Sequence, residues 1–296
     1  MNTDSIKAIN KINFKQSLMA YKKKPLSLLC KLIVWLAAII TIFALGYLIV
    51  YVLIKGVPHL TPELFAWEYN SDNVSMMPAI INTILMTLLS LLIAAPLGIF
   101  SAIYLVEYAK RGNKLVGIIR ITAETLTGIP SIVYGLFGML FFVTTLHMGY
   151  SLISGALTLA IMVLPVIMRT TEEALLAVPD SYREGSFGLG AGKLRTVFRV
   201  ILPSAMPGIL SGVILATGRI VGETAALIFT AGTVAKVPQG IFSSTRTLAV
   251  HMYSLSKEGL HTDQAYATAV VLLALVIIIN FISDAICSRK IDKDKE

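Results

Sequence analysis

Residues 179–203 read PDSYREGSFGLGAGKLRTVFRVILP, a charged, glycine-punctuated island between two long apolar segments. Ser181 and Glu184 have the spacing of a capping box, so the sequence predicts a helix that starts at Ser181. Gly188, Gly190 and Gly192 are expected to break it. A basic second helix is expected to begin near Lys193 and to stop before Pro203. Helix, glycine turn and helix make a compact knob, suited on the cytoplasmic face of a membrane protein to a groove on a soluble partner. The plainer alternative is an ordinary surface helix-turn-helix.

The segments around this island decide its setting. Hydrophobic residues make up 56% of the chain and charged residues 14%, which excludes an ordinary soluble domain. A membrane span needs about 20 apolar residues, and six runs qualify: Leu32–Ile54, Ile80–Ile103, Leu126–Leu146, Leu152–Met168, Ala205–Thr230 and Ala265–Cys287. The expected fold is an all-α integral membrane protein with six transmembrane helices, residues 28–287, between basic tails at 1–27 and 288–296.

Lysine and arginine crowd the amino-terminal tail, the second-to-third connection (Lys110, Arg111, Lys114, Arg120), the fourth-to-fifth (Arg169, Arg183, Lys193, Arg195, Arg199) and the carboxyl tail. The alternate connections hold only Lys55, Lys236, Arg246 and Lys257. The positive-inside rule then puts both termini and the 170–204 loop in the cytoplasm. The net charge of +8 reflects this bias and anionic lipid, not nucleic acid. The first apolar run is too long for a signal peptide and reads as an uncleaved anchor. Cys30 and Cys287 sit near cytoplasmic helix ends, with no spacing that suggests a disulfide or metal site.

Smaller features fill in the path. The stretch Val74–Val106 exceeds one crossing, so it tilts, kinks at Pro96 or extends beyond the bilayer. Residues 107–125 have the pattern of an amphipathic helix at the inner surface. Gly128, Pro130, Gly135 and Gly138 permit a bend and close contact in the third span. The steps Gly208–Gly212 and Gly218–Gly222 favour tight packing of the fifth span on another helix. The outer connection Ala231–Asp263 is long and polar.

Arg219 and Glu223 are the charges inside a span. Four residues apart, they are expected on one helix face, one turn from each other. A lone charge at bilayer depth costs at least about 2.5 kcal/mol. Two readings stand: a self-neutralising pair that lets the helix insert, or a gate whose guanidinium releases the carboxylate and takes a tetrahedral oxyanion. Arg169 is either a positive-inside anchor or a further substrate ligand.

The 179–203 stretch resembles the EAA loop of ABC-transporter permeases, with Glu184, Gly185, Ser186, Gly190, Val200, Leu202 and Pro203 on the matching positions. Gly185 stands where alanine is usual, weakening the helix by up to about 1 kcal/mol. The run GRIVGETAALIFTA, residues 218–231, is similar to the fifth span of PstA-type phosphate permeases, as are 166–172 and 98–108. The resemblance covers about residues 30–287. It implies a type I ABC importer permease fold and a pore shared with a PstC-like second permease. It also implies a PstB-like homodimeric ATPase docked on Ser181, Glu184, Gly185, Gly190, Leu202 and Pro203. The resemblance further implies a PstS-like binding protein that delivers inorganic phosphate, and puts Arg219, Glu223 and Arg169 on the phosphate path of a cell-membrane importer.

The chain has no motor of its own. Its nearest Walker-like run has Phe187 for the first glycine and Leu194 for the magnesium-binding hydroxyl. No cofactor is expected on this chain, and ATP and magnesium belong to the ATPase. The alternatives are another oxyanion cargo such as molybdate or sulfate, a stand-alone secondary transporter, and a purely structural membrane subunit. A secondary transporter predicts inverted halves or broken helices.

Overall fold

A computed structural model describes residues 25–110 and 112–293, with side chains from residue 26 to residue 282. Most of the expected amino-terminal tail and the carboxyl-tail side chains lie outside that range. Among the described residues the regular structure is helical. The chain divides into two units, Met1–Ile54 and Lys55–Glu296.

The first unit is dominated by α1, Pro25–Gly56, an apolar helix on which Phe43, Tyr47 and Tyr51 stack at intervals of four residues. The second unit contains α2 (Met77–Ile103, continued by a π turn to Tyr108), α3 (Lys114–Thr127) and α4 (Ser131–Gly138, continued by a π turn to Thr145). Then follow α5 (Leu152–Leu176), α6 (Asp180–Gly188) and α7 (Lys193–Gly222). The short α8 (Ala225–Thr230), α9 (Leu248–Glu258) and α10 (Thr262–Lys293) complete it.

Among the described residues five helices are long and apolar enough to cross a membrane: α1, α2, α5, α7 and α10. Helices α3 and α4 are apolar enough to qualify only when taken together, as a broken span or a re-entrant loop, and they meet at 102°. The third expected span, Leu126–Leu146, is therefore not a single helix. Pro130 lacks an N–H and biases Ile129 away from helical geometry, so α3 stops at Thr127 and α4 restarts at Ser131. The amphipathic helix expected over 107–125 is α3. Helix α2 runs through Pro96 and measures about 48 Å, longer than the ~30 Å hydrocarbon core.

The core is built around α5, which packs between α2 and α7. Met86 of α2, Leu159, Met162, Val163 and Ile167 of α5, and Ile220 of α7 interlock with Leu227 of α8. Gly208 and Gly212 of α7 lie against Ala174 and Thr170 of α5. The first small-residue step is thus used within the chain. Gly218 and Gly222 meet nothing within 4 Å. In an apolar setting a helix carbonyl is the nearest partner for a hydroxyl, and Thr83, Thr87, Thr158 and Thr217 each donate to the carbonyl four residues back.

A second cluster joins the ends of α2, α5 and the start of α7 through Ile103, Leu105, Leu175, Val178, Val197 and Ile201. This end carries the 179–203 knob. At the opposite end the 231–263 connection is not an open loop. It contains α9, and Thr245–Val250 are buried.

Candidate functional site

The knob begins one residue earlier than its sequence suggests. Pro179 occupies the N-cap position of α6, Asp180 complements the first turn, and no side chain caps the helix. Ser181 thus lies inside the first turn, not at the capping position. The capping box does not form because Pro179, with φ −57 and ψ 140, already supplies the entry geometry. Gly190 makes the turn after α6 at φ +81, a conformation that favours glycine. A side chain at Gly185 would meet open space.

The second helix does not stop at Pro203. Helix α7 runs unbroken from Lys193 to Gly222. Proline at 203 would clash with the carbonyl four residues back in a regular helix. The π turn Val197–Ile201, closed by Leu202 N–H to the Val197 carbonyl, widens the backbone at that point. Leu202 and Pro203 therefore lie within one rod that joins knob to span.

The knob is fastened at its base. The Arg183 guanidinium donates to Glu107 Oε1 from Nη2 at 2.7 Å and from Nε at 3.1 Å. The same group donates to the carbonyls of Leu175 at 2.9 Å and Val178 at 2.8 Å, which end α5, and to Asp180 at 3.2 Å. Glu107 is carried by the π turn at the end of α2. Side-chain exposure is 8% for Glu107 and 16% for Arg183, so this pair is largely withdrawn from solvent. Ser186 and Thr196 hydroxyls meet at 2.9 Å across the turn, and Lys193 Nζ sits 5.1 Å over the Tyr108 ring. Beyond this base Tyr182, Glu184, Phe187, Leu189 and Leu194 are all exposed. The arrangement presents an apolar-and-acid tip on a fixed stem.

Arg169 is held at the same end. Its Nη1 donates to Glu124 of α3 and its Nε to Glu173, each at 3.2 Å. Arg120 pairs with the buried Glu172 at 2.5 Å, so two ion pairs tie α3 to α5. Arg169 is a tether between helices in this state, on partners that are two-thirds exposed and contribute little stability.

Span five differs most from expectation. Helix α7 ends at Gly222, and Glu223 is extended at φ −72, ψ 129. Arg219 and Glu223 are thus not one turn apart on a common face. Glu223 Oε1 instead accepts the Ala226 N–H at 3.1 Å and caps the short α8. Helix α8 then lies tightly on α4, where a Cβ at Gly135 would stand 2.8 Å from Ala226 Cα. Sequence pattern gave no sign of this break, because residues 205–230 are uncharged except at Arg219 and Glu223 and no proline lies near the break.

Arg219 makes no ion pair or hydrogen bond with another described residue. It lines a groove of about 530 Å³ with Ser211, Ile214, Leu215, Gly218 and Asn280. A guanidinium cannot lose its charge, so this face of α7 presents a standing positive charge beside two open glycines. Sequence reasoning missed Glu107 and gave Arg183 only a topological role. Neither signals a partner 76 residues away. No group of three metal-ligating side chains occurs among the described residues.

Residues 94–293 match the family described as "Binding-protein-dependent transport system inner membrane component". The probable ABC transporter permease protein YqgI of Bacillus subtilis is 36% identical over 262 residues, 82% of this chain and 88% of that protein. The phosphate transport system permease protein PstA of Pasteurella multocida is 33% identical over 259 residues, 83% and 89% of the two chains. A chain of the crystal structure of a bacterial alginate ABC transporter, in complex with an alginate-bound periplasmic protein, superposes with a TM-score of 0.65 at 14% identity, covering 91% of this chain and 97% of that one. With the family model spanning residues 94–293 and these relatives spanning most of its length, the chain belongs to the binding-protein-dependent transport system inner membrane components, the permeases of ABC importers, and is not itself an enzyme.

Proposed function

We propose that this chain is the PstA-type translocation subunit of an ATP-driven inorganic phosphate importer, embedded in the cell membrane with both termini in the cytoplasm. The observation that carries the reading is Arg219: a permanent cation in a span, without an ion pair among the described residues, on a groove beside the open glycines Gly218 and Gly222. A planar guanidinium suits a tetrahedral oxyanion. The open small-residue step suits close approach of a second, PstC-like permease helix, which would close the groove into a path.

The knob supports the other half of the proposal. A PstB-like ATPase dimer would grip the exposed tip around Glu184, and ATP and Mg²⁺ would be bound there, not by this chain. Motion would pass through the Glu107–Arg183 fastening and the continuous α7 to the depth of Arg219. Glu223 would hold the break that ends the α7 hydrogen-bond ladder next to the path. Arg169 would join the path only by releasing Glu124 and Glu173. A PstS-like protein would supply the anion from outside.

The test is uptake of labelled phosphate by the reconstituted four-component transporter. Arg219→Ala should abolish uptake with assembly intact, and full uptake would remove the reading. Guanidinium chemistry alone serves molybdate and sulfate as well, so competition by those anions against phosphate decides the cargo.

A further inference from the structure

The end of the bundle opposite the knob holds a second buried arginine that the function above does not use. Arg246 is 5% exposed and precedes Thr247, the N-cap residue of α9. Among the described residues no carboxylate pairs with it. Its Nε and Nη2 are both buried and without a hydrogen-bond partner. These two nitrogens form one edge of the guanidinium, the edge that grips two oxygens of an oxyanion side-on.

The surroundings carry the same signal. The Arg246 guanidinium lies over the Tyr69 ring at 4.7 Å, and fully buried His251 meets that ring edge-on at 6.0 Å. Both nitrogens of His251 are buried and without a hydrogen-bond partner, and the Val74 backbone acts on the ring only to raise its pKa against the larger effects of burial and Arg246. The Thr247 hydroxyl is likewise buried and unpaired. Asn82 of α2 donates to the Arg246 carbonyl at 3.2 Å and fixes the backbone from which the side chain springs. Burial and the charge of Arg246 depress His251 to about 3, so it is neutral and offers one N–H. A buried cation with no counter-charge is costly unless something anionic pairs with it.

We propose that Arg246, Thr247 and His251 form an oxyanion site at the outer end of the chain, distinct from Arg219, where inorganic phosphate is held before it enters the membrane path. The proposal rests on the reading of the chain as an oxyanion permease. Tyr69 serves as the platform that fixes the guanidinium plane and leaves the donor edge free.

Trp67, exposed and two residues from Tyr69, provides the readout. The full-length chain in nanodiscs is titrated with inorganic phosphate while its fluorescence is followed, and bound phosphate is counted by equilibrium dialysis of the labelled anion. Wild type should show saturable binding with a matching fluorescence change. Arg246→Gln should weaken it roughly tenfold or more, the loss expected for a bidentate charge-assisted pair. Arg246→Lys keeps the charge but not the edge and should also bind weakly, with unchanged thermal unfolding as the folding control. Arg219→Gln should lose uptake yet keep the fluorescence response, which separates this site from the path. A wild type with no saturable response, or an Arg246→Lys variant that binds as wild type does, would overturn the proposal. Retained binding at Arg246 in a transporter that takes up no phosphate would instead sink the cargo assignment alone, and titration with sulfate then names the anion.

Discussion

Arg183 reaches Glu107 at 2.7 Å across 76 residues of sequence, and with the same guanidinium it binds the Leu175 and Val178 carbonyls that end α5. One side chain therefore locks the knob to two spans. Removing one partner of such a buried pair leaves the other charge uncompensated, at about 3–5 kcal/mol. Glu107→Ala is expected to lower the unfolding temperature. It should also leave ATPase capture intact while ATP hydrolysed per phosphate transported rises. Unaltered stoichiometry in a destabilised variant would reduce the pair to a structural role.

Glu184 sits on the exposed face of α6 with no ion pair or hydrogen bond to another described residue. Glu184→Arg should leave thermal stability within about 0.5 kcal/mol of wild type, as for other surface changes. Coupled transport should fall sharply, read as uptake against hydrolysis in proteoliposomes. Preserved coupling would separate the knob from the motor.

Glycines 212 and 218 divide the packing of α7 into two kinds. Gly212 faces Thr170 within the chain, whereas Gly218 faces open space. Gly212→Val should destabilise the isolated chain. Gly218→Val should leave it folded in nanodiscs but reduce its co-purification with a second permease. If both variants behave alike, the open step is not an interface.

The extended Glu223 caps α8 through Ala226 N–H. Glu223→Ala should cost about 1 kcal/mol, the usual worth of a lost cap. Glu223→Gln keeps an acceptor oxygen and should restore most of that stability without the charge. Comparing uptake in these two variants measures what the charge adds beyond the cap.

His251 gives a pH dependence of defined sign. Its folded value lies near 3, depressed first by burial and then by Arg246, against an ordinary value of 6.5. A depressed histidine contributes stability that is fully present above about pH 6.5 and is lost as pH falls toward 3. His251→Gln should therefore flatten the acid limb of stability measured by unfolding from pH 7 to pH 4.

The sequence made the spans legible where apolar length alone decides them, as in α2, α5 and α10. It also marked the knob, because glycine and charge interrupt the apolar pattern there. The interruptions inside spans were harder to read. Pro130 was visible, yet the 102° bend needs the third dimension. The break at Glu223 has no proline or turn signature; it depends on a carboxylate finding the Ala226 N–H and on Gly135 admitting α8. At Pro203 the rule that proline ends a helix was overridden by the π turn before it. Glu107, Arg246 and His251 were invisible as a group because their meaning lies in partners far along the chain.

The unbroken course of α7 has a mechanical corollary. Lys193, at the base of the knob, and Arg219 lie on one continuous helical segment, about 39 Å apart along the axis at 1.5 Å per residue. A tilt of about 10° about its lower end would sweep Arg219 sideways by about 7 Å, more than the width of a phosphate ion. In the proposed importer a small swing of a soluble engine would thereby be geared into a stroke wide enough to open one doorway and shut another, with a single polypeptide axle as both handle and bolt.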